Sequence, residues 1–393
     1  MSAINLPKYY ENEAGIIKRA GDFIKEFGKN VLIVGGETAL KIVRIDLYRS
    51  LEENSIKYEV KKFNGYPTQK YILDLCNLVE KNNNDAIVGV GGGKVLDLVK
   101  AVGDAKDIPI VTIPTVPATC AAWSALSVIY KENGEQDIYI NLKNSPSLIL
   151  ADKEILSKVP IRYINSGVAD SIVKWYEISP DLKHNANDFC LRLQLKVCEL
   201  ALEFLQKDYI NAYKEGNLLS DSSIISNAID SIIMLAGLSG SIKGSVPYGG
   251  LAHPFYNNST KVYETHWLLH GEKVSFGLLV QLNLEKRTIE EMQEFIEWMH
   301  LLDLPITLND LGIDSKNAGN NVSVIARGIK ESVGDYSGLD YELTEDNIIE
   351  AIFEVDKISK RILNGEVRKN AWVKWQSKKI FWIHDKADDY TIE

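Results

Sequence analysis

Histidine and cysteine are scarce in this 393-residue chain, which has six of the first and four of the second. Cys76, Cys120, Cys190 and Cys198 form no CxxC pair, which argues against a disulfide framework and against a thiolate zinc site. No long basic run is present and the formal net charge is -10, so nothing is suited to neutralising a series of phosphates and nucleic acid is not an expected partner. The opening MSAINLPKYYENEAG lacks the basic head and apolar core of a secretion signal. No run approaches the roughly 18 uncharged apolar residues that span a bilayer. These absences predict a soluble, cytoplasmic protein that engages neither nucleic acid nor membrane and acts on a small molecule.

What is present is apolar mass with two kinds of order. Hydrophobic residues make up 45% of the chain, enough for two cores. Up to about residue 115, apolar runs ending in glycine or a turn (VLIVGG, KYEVKKF, AIVGVGGG, IPIVTIPT) alternate with helical stretches (EAGIIKRAGDFIKEFG, ETALKIVRIDLYRSLEEN, TQKYILDLCNLVEKNNN, KVLDLVKAVGDA). That alternation predicts a parallel sheet covered on both faces, with ligands bound at the carboxyl ends of its strands. SALSVIY and DIYINL flank the turn residues ENGEQ as a hairpin, and SLILAD reads as one more strand. Beyond Pro160 long helical patterns take over, SSIISNAIDSIIMLAGLSG and EDNIIEAIFEVDKISKRIL among them. The expected organisation is an α/β nucleotide-binding domain at 1–160 and an all-α domain at 161–393. The closing AWVKWQSKKIFWIHDKADDYTIE is rich in aromatics and charge and receives no role.

GVGGGKVLDLVKAV leaves a strand and opens a helix, the setting in which backbone N–H groups and the positive helix end hold a pyrophosphate. Gly91, Gly92 and Gly93 carry no side chains to block that approach. The wording fits neither common template, because Lys94 stands where GxGxxG has its third glycine and Val95 where a Walker A loop has Ser or Thr. A tight turn without a ligand remains the plain alternative.

Half of the six histidines fall in AHPFYNNSTKVYETHWLLHGEK. His266 and His270 are spaced i, i+4, so one helix would present both on one face to a metal, with His253 approaching from the preceding segment. The carboxylate to complete such a site is Asp170 in SGVADSIVKWYE, read as lying at the start of a helix and aimed inward, where a divalent cation would satisfy it. Core histidines satisfied by hydrogen bonds, and an aspartate serving as a helix cap, are the plain alternatives.

Taken together, GVGGGKVLD, IPT, SALSVIY, GVADSIVKWYE, GLAHPFYN and ETHWLLHGEKVSFG resemble the glycerol dehydrogenase branch of the metal-dependent alcohol dehydrogenases, a superfamily that includes dehydroquinate synthase. The resemblance, running from about residue 30 to about 280, implies a nucleotide-binding domain, a helical domain and a catalytic metal between them. It implies Asp170, His253 and His270 as the metal ligands, with zinc favoured over iron: where the iron-dependent branch usually adds a histidine four residues after its aspartate, this chain has Lys174. It implies a coenzyme, NAD or NADP, touched by Gly36, Gly91, Gly92, Gly93, Lys94, Asp97, Thr115, Thr119, Ser124, Leu126 and Tyr130, and assembly as a homo-oligomer. His266 then reads as a proton-handling neighbour of the metal.

Two departures bear on substrate. Glycerol dehydrogenases place a substrate-binding aspartate just before SALS, whereas ATCAAW puts Cys120 there and adds the bulk of Trp123, as in the hydroxycarboxylate dehydrogenases of the same family. Lys174, one turn after Asp170, would pair with a substrate carboxylate or else extend to the surface. The expected activity is NAD(P)-linked hydride transfer between a small alcohol or 2-hydroxy acid and its carbonyl form. Glycerol dehydrogenase proper and a dehydroquinate synthase-like lyase are the alternatives.

Overall fold

The computed structural model describes residues 3–218, 221–243, 250–333 and 340–366; the aromatic C-terminal stretch read from the sequence lies outside them. Eight strands matter for the site: β1 (Tyr9–Glu11), β2 (Asn30–Gly35), β3 (Lys57–Lys62), β4 (Ala86–Gly91), β5 (Ile110–Pro114), β6 (Leu126–Tyr130), β7 (Gln136–Asn141) and β8 (Leu148–Leu150). Six of them form one wholly parallel sheet in the order β1-β8-β5-β4-β2-β3, and β6 and β7 pair as an antiparallel hairpin.

The apolar runs explain the sheet. In β2, Val31 and Ile33 enter the core on one face while Leu32 and Val34 enter the core on the other, as period-two side chains in a doubly covered sheet must. Each such fully buried side chain contributes about 1.5–3 kcal/mol. Helices α1 (Glu37–Glu53), α2 (Gln69–Asn82) and α3 (Gly93–Lys106) make the crossovers. Strand β3 forms an exposed edge whose three lysines discourage pairing with another sheet. The chain goes outward from β2 to β3 and returns to the other side of β2 at β4, so the order reverses between β2 and β4, the crevice where open parallel sheets bind ligands. Register brings Gly35 level with Val90, and Gly91 level with Pro114, at the carboxyl ends.

After α4 (Ile161–Ile178) the described residues are almost wholly helical, with a two-residue strand, Ile242–Lys243, pairing back to Ala3–Ile4. Two further helices carry the site: α5 (Ala252–Ser259) and α6 (His270–Leu284), the latter packed on both α4 and α5. Three expectations change. Tyr9–Glu11 adds a strand too short to show a pattern, and EAGIIKRAGDFIKEFG yields only a 3-10 turn at Ile16–Arg19 followed by a short helix, Ala20–Ile24. The Ser222–Ser241 helical run is long and apolar enough to cross a membrane by length and composition. It is more than half buried against the rest of the protein, and its Asp230 accepts hydrogen bonds from Tyr10, Asn12 and Lys153, the behaviour of a core helix.

Candidate functional site

All of the candidate metal, coenzyme and catalytic residues named above, though not Trp123, line one cleft that runs from the carboxyl ends of β2, β4 and β5 to the helical half. Its first wall is the glycine loop. Gly91 adopts φ of +154°, a conformation that side-chain-bearing residues rarely take, and Gly92 then caps α3 so that the free N–H groups of the first turn face the cleft. Gly36, capping α1, has open space where a Cβ would project, so nothing obstructs a ligand there. Lys94 Nζ lies 3.9 Å from the centroid of the Tyr66 ring.

Asp97 is buried and bridged to Lys100 at 2.9 Å, and Lys100 also donates to the Ser124 hydroxyl and to the carbonyls of Ser124 and Leu126. These three coenzyme candidates are therefore fixed as a unit by a lysine that sequence reading passed over. Burial raises the Asp97 pKa, with Lys100 opposing. Thr115 donates its backbone N–H to the Gly91 carbonyl, and Thr119 caps the turn that carries Cys120. Tyr130 meets Tyr256 hydroxyl to hydroxyl at 2.6 Å, joining the hairpin to α5.

The other end of the cleft gathers Asp170, His253 and His270, whose ligand atoms all lie within 4.8 Å of one another. Asp170 is 1% exposed and stands in the middle of α4, not at a helix start, because IRYINSGVADSIVKWYEI continues the apolar pattern without a break. His270 is the first residue of α6. The expected helix carrying both His266 and His270 does not form: a 3-10 turn ends at Thr265, and Leu269 is extended (ψ 164°) as the cap of α6. His266 instead donates Nε2–H to the Thr260 carbonyl at 2.8 Å, apart from the three clustered donors.

Close helix contact brings the donors together. At Gly271 a Cβ would sit 1.9 Å from the Ser166 carbonyl oxygen, so only glycine lets α6 cross α4 here and deliver His270 to Asp170. Arg162 grips Glu272 through Nε and NH2, Glu272 accepts from the Leu269 N–H, and Arg162 also donates to the Trp267 carbonyl, which fixes the entry to α6.

Asp170 Oδ1 is 3.3 Å from His253 Nε2 and 3.2 Å from His270 Nε2. Two donors held at about 2.0–2.1 Å by a tetrahedral zinc ion are themselves about 3.3 Å apart, so both spacings from Asp170 match those of donors that share such an ion. Glu177, two turns after Asp170 on α4, accepts from both the backbone N–H and the Nδ1–H of His253, at 2.9 and 2.5 Å. A neutral His253 then turns a lone pair, not a proton, toward Asp170, an arrangement that calls for a cation between them. Without one, burial opposes charge on His253 but Glu177 prevails and its pKa rises to about 9. Burial also opposes ionisation of Asp170, and Lys174, His270 and His253 overcome it to hold the carboxyl well below the usual range. Glu177 was quoted in the sequence motif without a role; its spacing of seven from Asp170 on an apolar helix was the available signal.

Lys174 does not extend to the surface. It is mostly enclosed, with Nζ 3.7 Å from Asp170 Oδ1; desolvation opposes its charge, yet Asp170, Cys120 and Glu177 raise its pKa above the ordinary lysine value. Cys120 feels both Lys174 and Asp170, and burial keeps its thiol protonated. Trp123 does not crowd the cleft as expected: its ring packs edge-on to Tyr10 and its indole N–H donates to Ser241, in the core.

Comparison with known proteins gives three findings. Residues 7–153 match the family described as iron-containing alcohol dehydrogenase. The chain is 31% identical over 370 residues to a glycerol dehydrogenase of Pseudomonas putida, covering 92% of this chain and 99% of that one, and 28% identical over 307 residues to hydroxycarboxylate dehydrogenase A of Escherichia coli K12, covering 74% and 83%. Among solved structures, a probable glycerol dehydrogenase from Sinorhizobium meliloti 1021 superposes with a TM-score of 0.79 at 26% identity, over 92% of this chain and 99% of that one.

Proposed function

Because this chain belongs to the iron-containing alcohol dehydrogenase family, we propose that its cleft binds a nicotinamide dinucleotide and one divalent metal, zinc, and interconverts small 2-hydroxy acids with their 2-oxo acids. The protein is an oxidoreductase acting on CH–OH donors. The observation that carries the finer reading is the meeting of Asp170, His253 and His270 in the same cleft as the glycine loop. Three ligands with an open position suit catalytic zinc, and the position one turn after Asp170 offers an ammonium instead of a fourth donor.

When bound, the metal supplies a Lewis acid and the coenzyme supplies or accepts the hydride. The chain's own residues do the rest. Asp170, His253 and His270 hold the cation, and Glu177 keeps His253 in the tautomer whose Nε2 is free to ligate. The glycine loop and the start of α3 offer N–H groups to the pyrophosphate. The Lys174 ammonium offers a partner to a substrate carboxylate, and Cys120, as a neutral thiol, repels none. His266 stays a candidate proton-handling group at the rim.

Hydroxycarboxylate dehydrogenase A among the relatives supports an acid substrate, while the glycerol dehydrogenases keep a polyol as the second reading. Either coenzyme form fits the adenosine end, where Glu37 is paired with Lys62 at 3.1 Å and no fixed carboxylate replaces Gly36. A division of the chain near residue 160, cytoplasmic residence and homo-oligomeric assembly belong to the same proposal, and sedimentation with limited proteolysis tests the first and last. The activity is tested by following NAD(P)H at 340 nm with zinc-loaded protein and a panel of alcohols and oxo acids. Net coenzyme turnover with a higher kcat/KM for 2-oxo acids or 2-hydroxy acids than for glycerol supports the reading. Equal turnover of glycerol and 2-hydroxybutyrate contradicts the acid preference, and recycling of coenzyme without net turnover marks a lyase.

A further inference from the structure

Lys273 lies one turn beyond His270 on α6, is 4% exposed, and lines the cleft. Among the described residues its ammonium has no hydrogen-bond or ion-pair partner; the Tyr256 ring, 4.8 Å from Nζ, is the group that faces it. The neighbouring carboxylate, Glu272, is committed to Arg162 and to the Leu269 N–H. A buried, unpaired cation is costly, and this one is made costlier by a second: burial lowers the Lys273 pKa to about 7, and the nearby charge of Lys94 adds to the effect. Lys94 itself stands in the first turn of α3, where the helix end already favours an anion. Two lysines from opposite halves of the protein thus line the same cleft.

The charge of Lys94, in the first turn after the glycine loop, acts on Lys273, and the Tyr256 ring that Lys273 faces also packs edge-on against His270, so Lys273 stands between the glycine loop and the metal donors. We infer that Lys273 reaches over the glycine loop from the helical half and, with Lys94, pairs with the pyrophosphate of the bound dinucleotide. This rests on reading the cleft as the coenzyme site. Its consequence is that coenzyme ties the two halves of the protein together through α6, the helix that begins with a metal donor.

The test is calorimetric titration of zinc-loaded protein with ADP-ribose, which carries the pyrophosphate but no nicotinamide and needs no turnover. K273M is expected to weaken ADP-ribose binding by about 10–100-fold, the worth of a hydrogen bond to a charged group, while K273R retains most of the affinity and zinc content stays unchanged in both. K94M should weaken the same ligand, giving a second variant should K273M fold poorly. Wild-type affinity for ADP-ribose in K273M overturns the inference, the more so if the same variant loses affinity for oxamate, which would assign Lys273 to a substrate carboxylate. Failure of the unaltered protein to bind ADP-ribose would instead overturn the coenzyme reading beneath it.

Discussion

Glu177 spends its carboxylate on His253, taking both the ring Nδ1–H and the backbone N–H. Removing its charge while keeping its shape, in Glu177→Gln, is expected to leave the fold intact and weaken zinc binding by about 10–100-fold, read by competition with a chromophoric chelator. The same residue sets a pH dependence. In the metal-free protein Glu177 raises the His253 pKa to about 9 against the opposing effect of burial, whereas a metal ligand must be neutral. Zinc affinity should therefore increase with pH up to about 9 and level off above it, with proton release on binding at lower pH. As a folding term the sign is opposite: a raised histidine pKa stabilises the metal-free protein below the unfolded value near 6.5, and that contribution disappears as pH rises through 9. At the substrate end, Lys174→Met is expected to raise KM for a 2-oxo acid by about 10–100-fold and leave KM for an uncharged carbonyl nearly unchanged.

At the scale of elements, the site depends on how closely helices cross. Gly271 allows α6 to touch the Ser166 carbonyl of α4, and Gly271→Ala is expected to cost about 1–3 kcal/mol in chemical unfolding, together with a loss of zinc that Gly36→Ala does not share. This contact also marks the limit of what the sequence made legible. The strands β2, β4 and β5 and the helices α1, α2 and α3 were readable because each carries a strong period or a long apolar run bounded by turns. Histidine clustering and an aspartate flanked by apolar residues make Asp170, His253 and His270 candidates and the resemblance selects them as the ligand set, whereas spacing alone misleads: i, i+4 makes partners of His266 and His270, although the chain between them is not helical. Lys100 and Arg162 act through contacts between segments far apart in sequence, and no local pattern announces such contacts. Trp123 looked like a cleft residue because its neighbour Cys120 is one, but the 3-10 turn Cys120–Ala122 points the two in different directions.

For the whole molecule, the consequence is two halves that line one cleft. The sheet offers the glycine loop, and the helices offer the carboxylate, the imidazoles and Lys273, with Tyr130 and Tyr256 joining hydroxyl to hydroxyl across the cleft. Ligands that bind only the folded protein raise its stability, by about 2.7 kcal/mol for each ligand present at a hundred times its Kd. Zinc and NADH together should therefore raise Tm beyond either alone. The proposed chemistry needs one cation held by three side chains, and the most direct test is anomalous diffraction at the zinc edge from crystals grown with the metal. A single strong peak is expected about 2.0–2.2 Å from Asp170 Oδ1, His253 Nε2 and His270 Nε2. A map with no peak among these atoms, or with the ion bound by His266 in place of one of the three, would contradict it.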